Sequence, residues 1–527
     1  MQTQTSMTRQ GSRSKPTLRA IEQVDFPFEH LSAIAELESW RKEVNRPIYH
    51  MHKWWAQRLG SVFRALVIGA TRPAGTDVLR EFYALPPVSD SVVFDPFMGS
   101  GTTIGEAAKL GVRAIGRDIN PVSHFACRIA LSPHDRKAVL DEFASIERDT
   151  ASQIRQYYQT DTAVGLADVL YYFWVKHVSC PICSEEVDLF SRYVFSQNAY
   201  PKKRPEAKAL CPHCGAINTI TYDAPVATCS ECHLDYLPQE GPASNQRAQC
   251  KCGHEFPIAR TVAASGAPPR HRMYAKMVLL PSGDKVYMRA TDSDRELYKA
   301  AEEELATRSD PYPIVRIIPG YNTNQALNYN YDHWHLMFNA RQLLCLSTLA
   351  ARIARISNRE VRDLFACLFS GCLEFNNMFA SFKGEGTGAV RHMFSHHILK
   401  PERTPLEANL WGTPKVLNTY LKANGGYSNG PNLVWAKVCQ IWPGHISFIG
   451  RYWTGASVSA SQLRAYLDSG QYAIMAERTV GNLKHWVVLT GHGSAASNTF
   501  YCNDPAYSVS ALNYGAFTGY GIYKFSP

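Results

Sequence analysis

The sequence predicts an α/β chain built around one strand–loop–helix–strand unit, carrying a cysteine-rich insertion and ending in a small α+β domain. Three observations carry this. Residues 91–132 read as strand, Gly-rich turn, helix, strand, turn and helix. Eight of the 14 cysteines crowd between Cys180 and Cys252. From about residue 413 charge thins out, and short strands such as YAIMAERTV, HWVVLTGHG and GYGIYKF are joined by tight turns.

Composition bounds the rest. The 527 residues are 45% hydrophobic and 19% charged, a globular mixture with length for about three or four domains. Lys and Arg number 55 against 46 Asp and Glu, so the formal net charge is +9, compatible with an anionic partner. No stretch of 18 apolar residues occurs, so no membrane-spanning helix is expected. The first twenty residues hold no apolar core of a secretory signal, which makes a cytoplasmic location the expectation.

In chain order, residues 1–20 read as a disordered basic arm carrying Arg9, Arg13, Lys15 and Arg19. Residues 29–70 show helical spacing in HLSAIAELESW and WWAQRLGSVFRALVIGA. The strand–loop–helix unit lies within a domain of residues 21–150. Residues 150–175 are expected to be helical. The cysteine pairs occupy an insertion of residues 176–260. A mostly helical part, 261–412, includes helices at 294–307 and 334–380, and residues 413–527 form the last domain.

The most informative string is Asp95-Pro96-Phe97-Met98-Gly99-Ser100-Gly101-Thr102-Thr103. A strand ends in an acid, a Gly-x-Gly turn follows, and a helix opens with its N–H groups free. Glycine lets backbone approach a ligand closely. A second strand ends near Asp118, 23 residues after Asp95, about the spacing at which an acid reaches ribose hydroxyls. A phosphate loop needs Lys after its last Gly, and a dinucleotide loop needs a third Gly where Ile104 stands. The loop therefore suits a nucleoside without polyphosphate, such as S-adenosylmethionine (SAM).

DPFMGSGTT resembles motif I of the amino-methylating DNA methyltransferases, which act on the exocyclic amines of adenine or cytosine. The resemblance implies a Rossmann-like SAM-dependent fold and a DNA partner. It places Asp95, Phe97, Gly99, Gly101 and Thr102 in the cofactor pocket, Asp118 on the ribose, and Asn120 and Pro121 beside the adenine. Upstream, RPIYHMHKWWAQRLGSVFRALVIGA resembles a subgroup of large methylases with a zinc-bearing insertion, the DUF1156-like group. In that subgroup Tyr49, His50, Lys53 and Trp54 would cap the methionine end. IIPGYNTNQALNYNYDHWHLMFNARQ and SFKGEGTGAVRHMFSHHILKPERTPLEANLWG are similar to it too, so the resemblance spans roughly residues 20–412.

Cys180-x2-Cys183, Cys211-x2-Cys214, Cys229-x2-Cys232 and Cys250-x-Cys252 are knuckles of the kind that place two thiolates on one ion. Read in order, the first two pairs make one zinc site and the last two another, with His233 or His254 as a substitute ligand. Four filled positions leave no open one, so both zinc ions would be structural. Lys202, Lys203, Arg204 and Lys208 lie between the first two pairs and are candidates for phosphate contacts.

Amino-methyltransferases also carry an Asp/Asn-Pro-Pro-aromatic motif, whose acid and carbonyl hold the target amine while its ring stacks on the flipped base. Neither Asp-Pro-Pro nor Asn-Pro-Pro occurs in this sequence. The methylase fold is therefore expected to be incomplete, with an exposed apolar edge. The last ~115 residues instead resemble C39-like, papain-type cysteine peptidase domains. That resemblance implies His485 as general base and Asp504 as its orienting acid. Cys439 and Cys502 stand on the wrong side of Thr413 to be the nucleophile. The chain reads as two unrelated segments joined near Gly412-Thr413.

Overall fold

The computed structural model describes residues 18–40, 52, 54, 57–83, 89–308, 312–385, 390–395, 398–412, 446–453, 459–468, 472–480, 483–492, 499–503, 511–513 and 517–525. The chain divides into two compact units. One comprises residues 1–50, 54–131 and 421–527; the other comprises 51–53 and 132–420. None of the described helices is long and apolar enough to cross a membrane.

In the first unit the strand Ser89–Asp95 pairs in parallel with Val112–Gly116, and the helix Thr102–Lys109 joins them. This is the expected βαβ unit. Helices Phe28–Trp40, Gly60–Thr71 and Val78–Tyr83 pack on one face. Glu38 holds the second of these by its start, accepting from the Gly60 and Ser61 N–H groups, each at 2.9 Å. Strand alternation turns Val93 and Ala114 onto that core, which contains Ala65, Ile68, Ala107 and Leu110. The opposite face presents Val92, Phe94 and Ile115 to solvent. A parallel sheet is normally covered on both faces, so these two strands resemble part of a larger sheet. The basic arm lies outside the described residues up to 17. Its end is tied down, because Arg19 bridges to Pro73 and Ala20 is buried.

The same unit holds a six-stranded antiparallel sheet with the strand order Ile446–Trp453, Phe517–Phe525, Tyr472–Val480, Leu483–His492, Thr499–Asn503 and Ala511–Asn513. The helix Ala460–Asp468 lies against its third and fourth strands. Three of the five neighbouring pairs shift register once, at irregularities of the kind that bend a sheet.

The second unit departs from the helical expectation. The helix Arg136–Arg155 ends before a hairpin, Gln159–Thr162 and Gly165–Ser179, turning at Gly165 with φ +106°. Residues 165–175 are thus strand rather than helix. The 15-residue strand is buried along most of its length, so its aromatic and β-branched run shows no alternation. It crosses the boundary expected at 176 and pairs antiparallel with Arg270–Leu279, which pairs with Lys285–Arg289. Leu406–Ala408, from the stretch read as aperiodic, adds to its other edge. The cysteine region and the residues after it therefore share one sheet.

Helices Asp292–Thr307, Ala340–Ala354 and Arg359–Leu373 complete this unit. The expected helical stretch 334–380 is broken at Asn358, whose side chain accepts from the N–H groups of Glu360 and Val361 and starts a new helix. In the core, Glu407 holds Arg341 through both oxygens at 2.7 and 2.9 Å, and both side chains are fully buried. Tyr158, Trp174 and Asn339 donate to the same carboxylate. That network satisfies a buried charge pair which would otherwise oppose folding.

Candidate functional site

The Gly-rich loop leaves the first parallel strand at Asp95, whose Oδ1 accepts from the Phe97 N–H at 3.0 Å. Gly99 and Gly101 both take left-handed backbone, with φ +51° and +77°. A Cβ on Gly101 would lie 2.6 Å from Cys127 Sγ, on the helix Pro121–Leu131. Protein packing thus requires glycine here. A Cβ on Gly99 would lie 3.1 Å from Trp54 Nε1. The structure thus brings Trp54 to the loop. Tyr49, His50 and Lys53 lie outside the described residues.

Asp118 ties the second strand's loop to the first. Its two oxygens accept from the Gly99 N–H at 2.9 Å and the Asn120 N–H at 2.8 Å. The Asn120 N–H above all, with Gly99 and Ser123 assisting, holds its carboxyl below the usual carboxylate range. It stays an ionised acceptor. Ser123 donates to the Gly99 carbonyl at 2.5 Å, and the Cys127 thiol does so at 3.4 Å. Burial, then the Asp118 charge, pushes the Cys127 thiol up to about 11, so it packs as an inert group.

Phe97 is 86% exposed and Ile119 fully exposed, an apolar pair flanking the Gly99–Asp118 link. Sequence reading missed Ile119; its signal was its place directly after the acid. Asn120 and Pro121 are exposed as well. Asn120 Oδ1 accepts from the Val122 N–H at 2.9 Å and starts the following helix. Thr102 is buried, with its hydroxyl 3.2 Å from Ser100 Oγ, so it shapes the loop from beneath.

All eight predicted cysteines come together, but in a different pairing from the sequential one. Cys180 and Cys183 join Cys250 and Cys252; Cys211 and Cys214 join Cys229 and Cys232. The second site is nested inside the first. Within each group the sulfurs all lie within 4.8 Å of one another. Close approaches are 3.8 Å for Cys180–Cys252 and Cys211–Cys232, and 3.5 Å for Cys183–Cys250 and Cys214–Cys229. A tetrahedron with arms of about 2.3 Å has edges of about 3.8 Å, whereas a disulfide needs about 2.05 Å. Each group can therefore hold a metal ion.

The four knuckles share one backbone device. The residue after each second cysteine is left-handed: Ser184, Gly215, His233 and Gly253. Its N–H donates to the carbonyl of the knuckle's first cysteine. His233 is thus a turn residue, and His254 stacks on Phe256; neither joins a ligand group. Arg289 donates to the Cys214 carbonyl at 3.2 Å and pairs with Glu231, fastening the inner site to the main sheet.

Lys202, Lys203 and Arg204 form an exposed turn, whereas Lys208 is paired with Glu206 at 2.7 Å. His485 lies in the strand Leu483–His492, opposite Arg478. Asp504 and Cys439 lie outside the described residues.

A family model described as DNA methylase (N6_N4_Mtase) matches residues 83–126, the segment that holds this loop. No curated protein and no solved structure matches the chain. The match makes residues 83–126 similar to a DNA methylase region and supports a DNA methyltransferase kind of function; that family implies SAM use and suggests DNA as substrate.

Proposed function

We propose that the chain is a homologue of the SAM-dependent DNA amino-methyltransferases, binding its cofactor over the loop Asp95–Pro121 and carrying two structural zinc ions. The observation that carries this reading is the Asp118–Gly99 hydrogen bond at the mouth of the parallel βαβ unit. It joins the acid and the Gly-rich turn into one site at the C-terminal ends of parallel strands, where such folds take their ligands.

The residues fit the cofactor. Asp118 is an ionised acceptor suited to vicinal hydroxyls. Phe97 and Ile119 are apolar surfaces suited to a purine ring. No side chain caps the start of the helix Thr102–Lys109, and its first N–H groups point toward the loop. Trp54 shields Gly99. When bound, SAM supplies an electrophilic methyl group; these residues hold and orient it and exclude water.

The Cys180/Cys183/Cys250/Cys252 and Cys211/Cys214/Cys229/Cys232 sets are all-thiolate and closed, a donor set suited to structural zinc. The sequence contains no Asp/Asn-Pro-Pro-aromatic motif to receive a flipped base, so the chain alone is expected to bind cofactor without rapid methyl transfer. The C-terminal sheet, read as a remnant of a papain-like peptidase module around His485 and Asp504, adds no acyl-transfer chemistry. Transfer of tritium from methyl-labelled SAM to mixed-sequence DNA tests this. Cofactor binding with background transfer is expected. Robust transfer would overturn the incomplete-site reading. Failure to bind cofactor would favour a nucleic-acid-binding zinc protein without catalysis.

A further inference from the structure

We infer that the exposed turn Tyr200–Arg204, with Lys383 beside it, is a nucleic-acid-binding tip that grips the phosphodiester backbone. The inference rests on the DNA reading above and assigns that partner a surface.

The turn is the far end of the inner metal module. Strands Val194–Gln197, Glu206–Leu210 and Ile217–Thr221 form one antiparallel sheet. The middle strand runs from the turn straight into Cys211, so the basic tip and the metal site occupy opposite ends of it. Lys202, Lys203 and Arg204 are exposed, and among the described residues none has an acidic partner. The contrast is Lys208, within the middle strand, which Glu206 and Thr219 neutralise and anchor. Asp223, one residue beyond the Tyr222–Pro205 hydrogen bond, brings a single opposing charge.

This turn is built rather than loose. The Tyr200 N–H donates to Asn198 Oδ1 at 2.9 Å, and the Tyr200 carbonyl accepts from both Lys203 and Arg204 N–H at 3.0 Å. A segment almost 200 residues away in the chain buttresses it. Ala199 N–H donates to the Glu385 carbonyl at 2.8 Å, and Glu385 N–H to the Gln197 carbonyl at 3.1 Å. Gly384, at φ +111°, must lack a side chain because a Cβ would lie 2.8 Å from the Gln197 carbonyl. This contact sets exposed Lys383 beside the turn, while the Glu385 carboxylate accepts from Tyr287 OH at 2.5 Å.

Four cations are thereby held on a preformed frame, with Glu206 engaged by Lys208 and Glu385 by Tyr287, leaving Asp223 as the opposing charge. Preorganisation lowers the ordering cost of binding. Tyr200, 59% exposed at the root of the turn, adds a ring that can stack on a sugar or base. An aromatic among unpaired cations favours nucleic acid over an acidic protein surface.

The test uses the full chain, zinc-loaded, and a fluorescent duplex of about 20 bp, titrated between about 50 and 200 mM salt. The variant is Lys202→Ala/Lys203→Ala/Arg204→Ala, with Lys202→Arg/Lys203→Arg as the charge-conserving control. Each phosphate neutralised contributes about 0.9 to the slope of log affinity on log salt. The triple variant is expected to bind at least about tenfold more weakly at low salt, with the slope flattened by about 2–3. The control should keep wild-type affinity, and zinc content should not change. An unchanged slope, no duplex binding by the wild type, or a loss seen with acidic vesicles and not with DNA would overturn the proposal. Calorimetry with SAM on the same preparation separates the two readings. Intact cofactor binding with an unaltered DNA slope removes this surface alone. A flattened slope without cofactor binding leaves the surface standing and removes the methylase reading.

Discussion

Trp54 and Gly99 are in direct contact across 45 residues of sequence: a Cβ on the glycine would stand 3.1 Å from the indole Nε1. The ring therefore covers the backbone that turns beneath the proposed cofactor. Trp54→Ala should leave the fold intact and weaken SAM binding roughly tenfold, about 1.4 kcal/mol. Calorimetric titration checks this, and unchanged affinity would reduce Trp54 to a packing residue.

Gly101 sits at φ +77° with Cys127 Sγ against its α-carbon. Gly101→Ala should cost about 2–4 kcal/mol of stability, from left-handed strain plus overpacking. Adding Cys127→Gly should recover the packing part and leave the strain. Denaturant unfolding of the single and double variants measures both. If the second substitution restores nothing, the contact is not what demands glycine.

The nested metal pairing makes a prediction that sequential pairing reverses. Cys180→Ser/Cys252→Ser removes two ligands from one site and should lower zinc content from two ions per chain to one. Cys180→Ser/Cys211→Ser damages both sites and should remove both ions, with loss of local folding, because zinc binding is part of the folding free energy. Metal analysis of the two double variants decides between the pairings.

Lys176 is buried, 4.9 Å from the Tyr331 ring centre and 5.1 Å from that of Phe379, and its Nζ has no hydrogen-bond partner among the described residues. Burial drives its ammonium down to about 7, with Glu402 opposing weakly. Unfolded, it keeps its proton to about pH 10. Between those values the unfolded chain binds more protons, so stability rises with pH; below about 7 both states are charged and the full cost of burial applies. Lys176→Met should therefore stabilise the fold most below about pH 7, by at most about 4–5 kcal/mol, with the gain fading toward pH 10. A gain independent of pH would contradict this.

The legible parts of the sequence were those written in local chemistry. Gly99, Gly101 and Asp118 announce their turn and acid without help from the rest of the chain, and CxxC announces a knuckle. Pairing of the knuckles is decided at longer range. Cys180 and Cys250 share a hydrophobic cluster with Val178, Leu189 and Phe256, whereas Cys211 and Cys229 share another with Val194, Ala207 and Tyr236. No spacing rule encodes which cluster forms. The strand Gly165–Ser179 was misread for a related reason. Covered on both faces, it has the length and continuous apolarity of a buried helix, and periodicity cannot separate the two.

Isothermal titration of SAM into the zinc-loaded full chain, beside the variant Asp118→Ala, tests the central claim most directly. The account predicts one cofactor bound per chain and a folded variant that binds at least about tenfold more weakly, about 1.4 kcal/mol. No binding by the wild type, or equal affinity in the variant, would contradict it.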